Sequence, residues 1–198
     1  MNKLQGFYEL RHIGIPAAPW NIFSKNTFLD PGLLWTIRVA VKTGDDINLP
    51  RAVGVTAEKA MEKGTQFLSQ FGSNGIVIYY PYFIALKSGI MELKEKVTII
   101  ESVDGDLWNL TTKGRRAVTI FVDRLTHTVT EHGQKNFLNK KEIERLFRYG
   151  ARVRVKYKDY IFNYTSVMVE WSLALNTNVN HMPVGDPYFV FYECRVVK

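Results

Sequence analysis

Two runs rich in β-branched and aromatic residues constrain the fold of this chain more than any other feature. The first, at 164–171, has the sequence Tyr-Thr-Ser-Val-Met-Val-Glu-Trp, and the second, at 188–195, has the sequence Tyr-Phe-Val-Phe-Tyr-Glu-Cys-Arg. Runs of this composition and length predict β-strands. Each predicted strand carries a carboxylate, Glu170 or Glu193, and the second also carries Arg195.

If these strands are neighbours, they point both carboxylates and the arginine at one place. Magnesium is usually held by one or two carboxylates together with substrate phosphates, and arginine binds phosphate through a planar fork of donors. Glu170, Glu193 and Arg195 are therefore candidates for holding a divalent cation and a polyphosphate. The pattern alone favours a plainer alternative, two exposed acids at the edge of a sheet, and the rest of the chain has to decide between them.

The order of the other predicted elements is typical of an α+β protein. Amphipathic spacing predicts three helices, of which the second begins after Thr56 and the third has a capping box of Asn139 and Glu142. The helices are predicted at 3–13, 56–71 and 140–149. Further strands are predicted at 33–41, 76–86, 97–101 and 117–122, the second of them interrupted near Pro81. Helices and strands do not alternate strictly, which favours α+β over parallel βαβ units.

Length and charge set broader limits. The 198 residues suffice for one large domain or two small lobes, with a weak lobe boundary predicted near 72–75. The net charge of +7 favours anionic partners such as nucleotides or RNA, and basic residues concentrate at 140–158. A solvated helix face explains that segment equally, and no sequence signature of a nucleic-acid-binding motif accompanies it.

Several classes of protein are not indicated. No apolar run is long enough to span a bilayer or to form a secretory signal, and the single Cys194 has no partner for an internal disulfide. We therefore expect a cytoplasmic protein with no membrane association. The sequence also lacks a P-loop, a dinucleotide-binding fingerprint and a nucleophile elbow, and its four histidines have no ligand spacing.

The segments occur in an order that resembles the ATP-grasp nucleotide-binding domain of phosphoenolpyruvate synthase and pyruvate phosphate dikinase. The resemblance runs patchily along the whole chain and rests on the joint order of short motifs. These are Lys3 ahead of Gly14-Ile-Pro-Ala-Ala-Pro19, Arg38 in Ile37–Ala40, the loop 44–50, Tyr80-Pro-Tyr-Phe-Ile84, Ser88-Gly-Ile90, Gly105 in Val103–Asp106, Leu138–Ile143, Met168-Val-Glu-Trp171 and Tyr192-Glu-Cys-Arg-Val196.

This resemblance implies a single ATP-grasp-like domain over 1–198, with two small lobes whose mixed or antiparallel sheets are flanked by helices. It implies ATP and Mg²⁺ as cofactors, with Glu170 and Glu193 on the metal. It also implies that Lys3, Arg38 and Arg195 bind phosphates, the two arginines as catalytic residues. The backbone of 80–84, including Tyr80, Tyr82 and Ile84, would hold adenine.

The sequence departs from the family pattern where the chemistry matters. Met168 stands where the family has its first magnesium-associated aspartate, Glu193 replaces a glutamine, and Val39 and Ala40 replace two serines. The family's phosphohistidine domain has no counterpart here, so a phosphoryl acceptor would be a small molecule, water or a group on a partner protein. Two alternatives stay open: a ligase of the same fold, and a non-catalytic module that binds RNA or a protein through 140–158.

Overall fold

Five helices and ten strands make up the part of the chain described by the computed structural model, residues 3–41, 49–162 and 165–197, with residues 3–5 described by their backbone alone. The helices are α1 (Lys3–Ile13), α2 (Ala57–Phe71), α3 (Trp108–Thr111), α4 (Lys140–Lys156) and α5 (Lys158–Phe162). The strands are β1 (Asn21–Ile22), β2 (Trp35–Val41), β3 (Arg51–Val55), β4 (Gly75–Pro81), β5 (Phe83–Leu93), β6 (Val97–Asp104), β7 (Val118–Asp123), β8 (Val129–Gly133), β9 (Ser166–Thr177) and β10 (Pro183–Val197).

The first sheet, the small sheet, has four antiparallel strands in the order β1-β4-β2-β3. Helix α2 covers one of its faces, where Phe67 packs with Ile37 and Val77. The helix comes close because residue 64 is glycine: a Cβ there would lie 2.4 Å from the ring of Phe23. Any side chain at residue 64 would therefore push α2 away from the sheet.

The second sheet, the large sheet, has six antiparallel strands in the order β10-β9-β5-β6-β7-β8. Side chains alternate between the faces of a sheet, and one face of this sheet is apolar. That face packs on α4, with Leu146 and Val153 of the helix against residues that include Ile100, Val169 and Trp171. We call the opposite face the open face, and it carries carboxylates and hydroxyl groups as well as apolar side chains.

Helix α1 lies where the two sheets meet. Leu10 belongs to the core of the large sheet, whereas Phe7 packs with Trp20 and Ile78 on the face of the small sheet opposite α2. The chain itself passes from one sheet to the other at Tyr82, whose N–H donates to the carbonyl of Leu34 at 2.8 Å. Residues 72–75, where the sequence predicts a lobe boundary, lie between the end of α2 and the start of β4.

The predicted α+β class, with two antiparallel sheets flanked by helices, is confirmed. The predicted caps also form: Thr56 accepts from the N–H of Lys59, and Asn139 and Glu142 make the reciprocal capping box. The segment interrupted near Pro81 is two strands that belong to different sheets. Of the predicted loop 44–50, only residues 49 and 50 fall within the described residues.

Some elements differ from the predictions for physical reasons. Helix α4 continues past its predicted end at Tyr149 because Gly150 packs against β5, where a Cβ would lie 3.1 Å from the sulfur of Met91. Tertiary packing here outweighs the low helix propensity of glycine. Strand β8 was not predicted, since all five of its residues are exposed and it gains its order by pairing with β7. No helix within the described ranges has the length and apolarity needed to cross a membrane.

Candidate functional site

The open face of the large sheet holds the two predicted metal ligands side by side. Glu170 of β9 and Glu193 of β10 are directly paired residues, so their side chains project next to each other from the same face. Both side chains are half-buried. The structure therefore assembles two carboxylates from residues 23 positions apart, which is what a shared cation requires.

Arg195 joins this pair. Its guanidinium Nη1 lies 3.6 Å from Oε1 of Glu193, and its own cross-strand partner is Met168. The Arg195 side chain is 51% exposed, so the ion pair is open to solvent. An exposed ion pair contributes little stability, and this arginine is free to exchange its carboxylate partner for a phosphate.

A chain of hydroxyl groups crosses the open face next to the carboxylates. Buried Ser88 donates to the carbonyl of Gly105 at 2.6 Å, and its oxygen lies 2.8 Å from that of Ser172. Since a serine has one proton to donate, Ser172 donates to Ser88. Ser172 must then accept from the phenol of Tyr192, 3.3 Å away. The chain thus ties β10, β9 and β5 to the turn that follows β6.

Because Tyr192 is the first donor in this series of hydrogen bonds, it has to keep its proton. Burial raises the pKa of the Tyr192 phenol, and the nearby charge of Glu170 raises it further. The phenol therefore stays neutral and donates towards Ser172. Sequence reasoning missed Ser172 and gave Tyr192 no role, although the resemblance had marked the segments that contain Ser88, Gly105 and Tyr192. The signal lay in the strand pairing, which places Ser88 opposite Ser172.

Arg38 lies on β2 of the small sheet. Among the described residues no salt bridge involves Arg38, and its buried Nε has no hydrogen-bond partner. Its guanidinium carbon lies 5.4 Å from the centre of the Phe7 ring, and its cross-strand neighbour on β3 is Arg51. Two neighbouring arginines and an unsatisfied buried donor fit an anionic ligand better than an internal ion pair.

The predicted adenine segment, 80–84, is the connection between the sheets. The rings of Tyr80 and Phe83 stack with centres 6.5 Å apart, and Tyr82 meets His181 edge-on at 6.2 Å. Ile84 is already within β5, paired with Leu175. The N–H of Tyr82 is engaged with Leu34, so an adenine held here would use other backbone groups of the segment.

The remaining predicted cation, Lys3, begins α1, and its side chain lies outside the described residues. Glu170, Glu193 and Arg195 are thus brought together on the large sheet, while Arg38 and the segment 80–84 belong to the small sheet and to the connection between the sheets. The predicted residues therefore divide between the two sheets rather than forming one cluster.

Three cations of the basic segment 140–158 are engaged in contacts that hold α4 in place. Arg154 donates to Thr98 Oγ1 at 2.8 Å and to the carbonyl of Lys94 at 2.7 Å, and burial lowers its pKa to about 10. Arg152 donates to the carbonyl of Gly14, and Lys156 lies 3.7 Å from a carboxylate oxygen of Glu9. These three cations are engaged within the protein, and nothing found here supports the nucleic-acid alternative.

The donor set limits which metal the open face could hold. Within residues 3–41, 49–162 and 165–197, no group of three or more His, Cys, Asp or Glu side chains is arranged to hold a metal ion. Glu170 and Glu193 supply two carboxylates, and an octahedral magnesium ion takes its remaining ligands from water and substrate phosphates. The residues present therefore fit magnesium that arrives with a nucleotide, and do not form an all-protein metal cage.

Comparison with solved structures identifies the fold. The chain superposes on N5-carboxyaminoimidazole synthetase from Staphylococcus aureus in complex with ADP with a TM-score of 0.52 and 11% identity, covering 99% of this chain and 43% of the synthetase. It superposes on D-alanyl-alanine synthetase A from Vibrio cholerae with a TM-score of 0.52 and 12% identity, covering 98% of this chain and 54% of that enzyme. No protein-family model and no curated protein matches the sequence.

These likenesses show that the chain has the ATP-grasp fold along its described length. The chain spans about half the length of the two synthetases or less. The structural likenesses confirm the ATP-grasp part of the sequence resemblance. They give no specific support to the phosphoenolpyruvate synthase and pyruvate phosphate dikinase part of it.

Proposed function

We propose that this protein binds Mg-ATP where its two sheets meet and transfers the γ-phosphoryl group to an acceptor, either a small molecule or a group on another chain. The observation that carries the proposal is the direct pairing of Glu170 with Glu193 beside Arg195. Two adjacent carboxylates with an exchangeable arginine suit a magnesium ion bridged to phosphates. The fold is one in which a solved neighbour is seen with ADP.

Each predicted residue has a role in this proposal. Glu170 and Glu193 hold magnesium, and Arg195 leaves Glu193 to bind phosphate when the metal takes the carboxylate. Arg38 binds phosphate with the donor that has no partner within the described structure, and Lys3 is proposed as a further phosphate ligand. The backbone of 80–84 positions adenine, with the rings of Tyr80 and Tyr82 at its sides.

The residues of this chain supply positioning and charge. Bound Mg-ATP would supply the transferable phosphoryl group, and such transfer asks the protein chiefly to orient the reactants and to stabilise negative charge. Arg38 and Arg195 provide that charge from two different sheets, and no side-chain nucleophile is needed. The hydroxyl chain from Tyr192 to Gly105 fixes the strands that carry the metal ligands.

The form of the reaction is the second part of the proposal. Both solved structures named above are synthetases. Of the two forms of the reaction, this favours a ligation, in which the acceptor is first phosphorylated and then ligated, and disfavours transfer to a phosphoryl carrier on a partner protein. The acceptor of a ligation would carry a carboxylate, which forms an acyl phosphate. Release of ADP and phosphate only when a carboxylate and an amine are both supplied would support ligation.

The test is calorimetric titration with a non-hydrolysable ATP analogue, with and without Mg²⁺. We expect magnesium-dependent binding that weakens by about tenfold or more in Glu170→Gln, since one charged ligand of the metal is lost. Glu131→Gln is the matched control: it removes the same charge from an exposed residue of the same sheet. Glu131 pairs with the core residue Ile120 and so projects from the face opposite the open face.

Two results would contradict the proposal. One is unchanged affinity in Glu170→Gln, which would remove the metal role of the paired carboxylates. The other is an absence of binding at millimolar analogue, which would mean that the fold has been kept without its nucleotide.

A further inference from the structure

A cavity of about 560 Å³ lies on the open face, one strand away from Glu170. Its floor is formed by apolar side chains of four strands, and two carboxylates project among them. The residues that matter here are Ile90, Glu92, Ile99, Glu101, Phe121 and Met168. None of these belongs to the set to which the proposed function assigns a role.

The strand register arranges the floor as a checkerboard. Ile90 is paired with Glu101 and Glu92 with Ile99, so the two glutamates lie on one diagonal and the two isoleucines on the other. Diagonal neighbours across an antiparallel pair are about 7–8 Å apart. A single cationic group between Glu92 and Glu101 is therefore within reach of both carboxylates while it rests on apolar side chains.

Aromatic and sulfur-containing groups extend the apolar floor on either side. Phe121 of β7 is the cross-strand partner of Ile99, and Met168 of β9 is the partner of Glu92. Phe121 is 36% exposed, and its ring meets that of His132 edge-on with centres 5.6 Å apart. A ligand with an apolar body would cover this exposed surface, and a cation can also rest over the face of the ring.

Each of the two carboxylates of the lining has a cation of the protein beside it. Glu101 lies 2.6 Å from Arg116, and Glu92 accepts from Ser166 at 2.7 Å and lies 3.3 Å from Lys94. An ionised carboxylate has about four acceptor sites, so each glutamate keeps capacity for a further donor. A cationic ligand would therefore share Glu101 with Arg116 and Glu92 with Lys94.

We propose that this cavity binds a small molecule in which an ammonium or guanidinium group is joined to an apolar body. Glu92 and Glu101 hold the cation, while Ile90, Ile99 and Phe121 contact the apolar part. Because Ile90 is also the cross-strand partner of Glu170, the ligand lies one strand spacing, about 5 Å, from the proposed metal ligands. We assign it as the second substrate, an assignment that rests on the proposed function, whereas binding of the cation does not.

The binding test compares three probes of similar shape and different charge: phenethylamine, phenethyl alcohol and phenylacetate. Ligand-observed NMR titration should show the amine binding about tenfold or more tightly than the alcohol, and no binding of the carboxylate. Glu101→Gln and Glu92→Gln should each weaken the amine by a similar factor. Glu131→Gln, on the other face of the sheet, should leave it unchanged.

The binding proposal is overturned if the alcohol binds as tightly as the amine, or if neither variant weakens the amine. Each variant is first compared with the wild type by circular dichroism. Two glutamates on different strands are tested so that, if one variant misfolds, the other still tests the binding proposal.

The second-substrate role has its own experiment. Paramagnetic Mn²⁺ replaces Mg²⁺ together with the non-hydrolysable ATP analogue, and the line widths of the bound amine are followed. Broadening in the wild type that is lost in Glu170→Gln supports the placement beside the metal. Bound Mn²⁺ without broadening overturns that placement. If neither metal nor nucleotide binds while the amine still depends on Glu101, the proposed nucleotide function fails and the cation site stands.

Discussion

The two sheets of this protein differ in how many of their faces are covered. The small sheet has α2 on one face and Phe7 and Trp20 on the other, so even its one central charge, Arg38, is half-buried. The large sheet has α4 on one face only, and its other face presents side chains such as Glu92 and Glu170.

This difference determines which sheet can present polar side chains to a ligand. Along most of the large sheet the side chains alternate, so an apolar residue that the α4 side requires fixes a neighbour on the open face; a register shift between Phe191 and Glu193 is the exception that puts Tyr192 and Glu193 on the same face. Val169 and Trp171 in the core place Glu170 outwards between them. On the small sheet both faces are covered at the central strands, and Arg38 is half-buried with a donor that has no partner among the described residues.

The strongest test of the two-faced sheet compares Trp171→Ala with Met168→Ala. Both residues lie on β9, but Trp171 is fully buried against the core whereas Met168 lines the open face. We expect Trp171→Ala to lower the free energy of unfolding by about 3–5 kcal/mol, because a large cavity is left in the core. Met168→Ala should cost less than about 1 kcal/mol, as measured by urea unfolding of both variants.

A similar loss of unfolding free energy in both variants would contradict the difference between the two faces. It would mean that the open face is covered by packing that resembles the core. Isothermal binding measurements on Met168→Ala then show whether the amine cavity depends on that side chain. The larger loss must be in Trp171→Ala for the two faces to differ as described.

The second prediction concerns the enclosed charge of the small sheet. Replacing Arg38 by Met removes a half-buried cation and keeps its apolar stem, so we expect stability to stay constant or to rise by about 1 kcal/mol. Nucleotide affinity should nevertheless fall by about tenfold or more, because a phosphate ligand is lost. Arg51→Met, at the exposed neighbouring position, is the control and should alter affinity less.

Chemical denaturation measures the stability of these two variants, and titration with the ATP analogue measures their nucleotide affinity. If Arg38→Met were strongly destabilised while nucleotide affinity stayed normal, Arg38 would be a structural residue and its phosphate role would be refuted.

The smallest expected effect lies at the outer edge of the large sheet. In the turn from β7 to β8, Asp123 accepts from the N–H groups of Thr126 and Leu125, both at 2.8 Å, and these bonds lower its pKa from the ordinary value of 3.8. A lowered folded-state pKa means that the stabilisation is present above the unfolded value and is lost as the pH falls through the folded value.

Below about pH 4 we therefore expect this turn to loosen while the centre of the sheet stays intact. Amide hydrogen exchange at Leu125 and Thr126 should become faster relative to Ile120, and Asp123→Asn should show a weaker pH dependence. Equal protection of the turn at pH 3 and pH 6 would contradict the role given to the carboxylate.

Much of the fold was predictable because local patterns and caps agreed with it. The helices after Thr56 and Asn139 begin where the capping residues predict, since each cap satisfies backbone donors that only a helix start leaves free. The strands around Glu170 and Glu193 follow from their β-branched and aromatic composition. In contrast, β8 is wholly exposed, and only pairing with β7 gives it a structure.

The sequence by itself determined the α+β class, the ATP-grasp resemblance and the candidates Glu170, Glu193, Arg195 and Arg38. What it could not determine was register, because which residues oppose each other depends on strand pairing between distant segments. Register alone places Glu193 against Glu170, links Ser172 to Ser88, and sets Glu92 and Glu101 on one diagonal. Tertiary structure thus decided the site, since neighbours across a sheet are far apart along the chain.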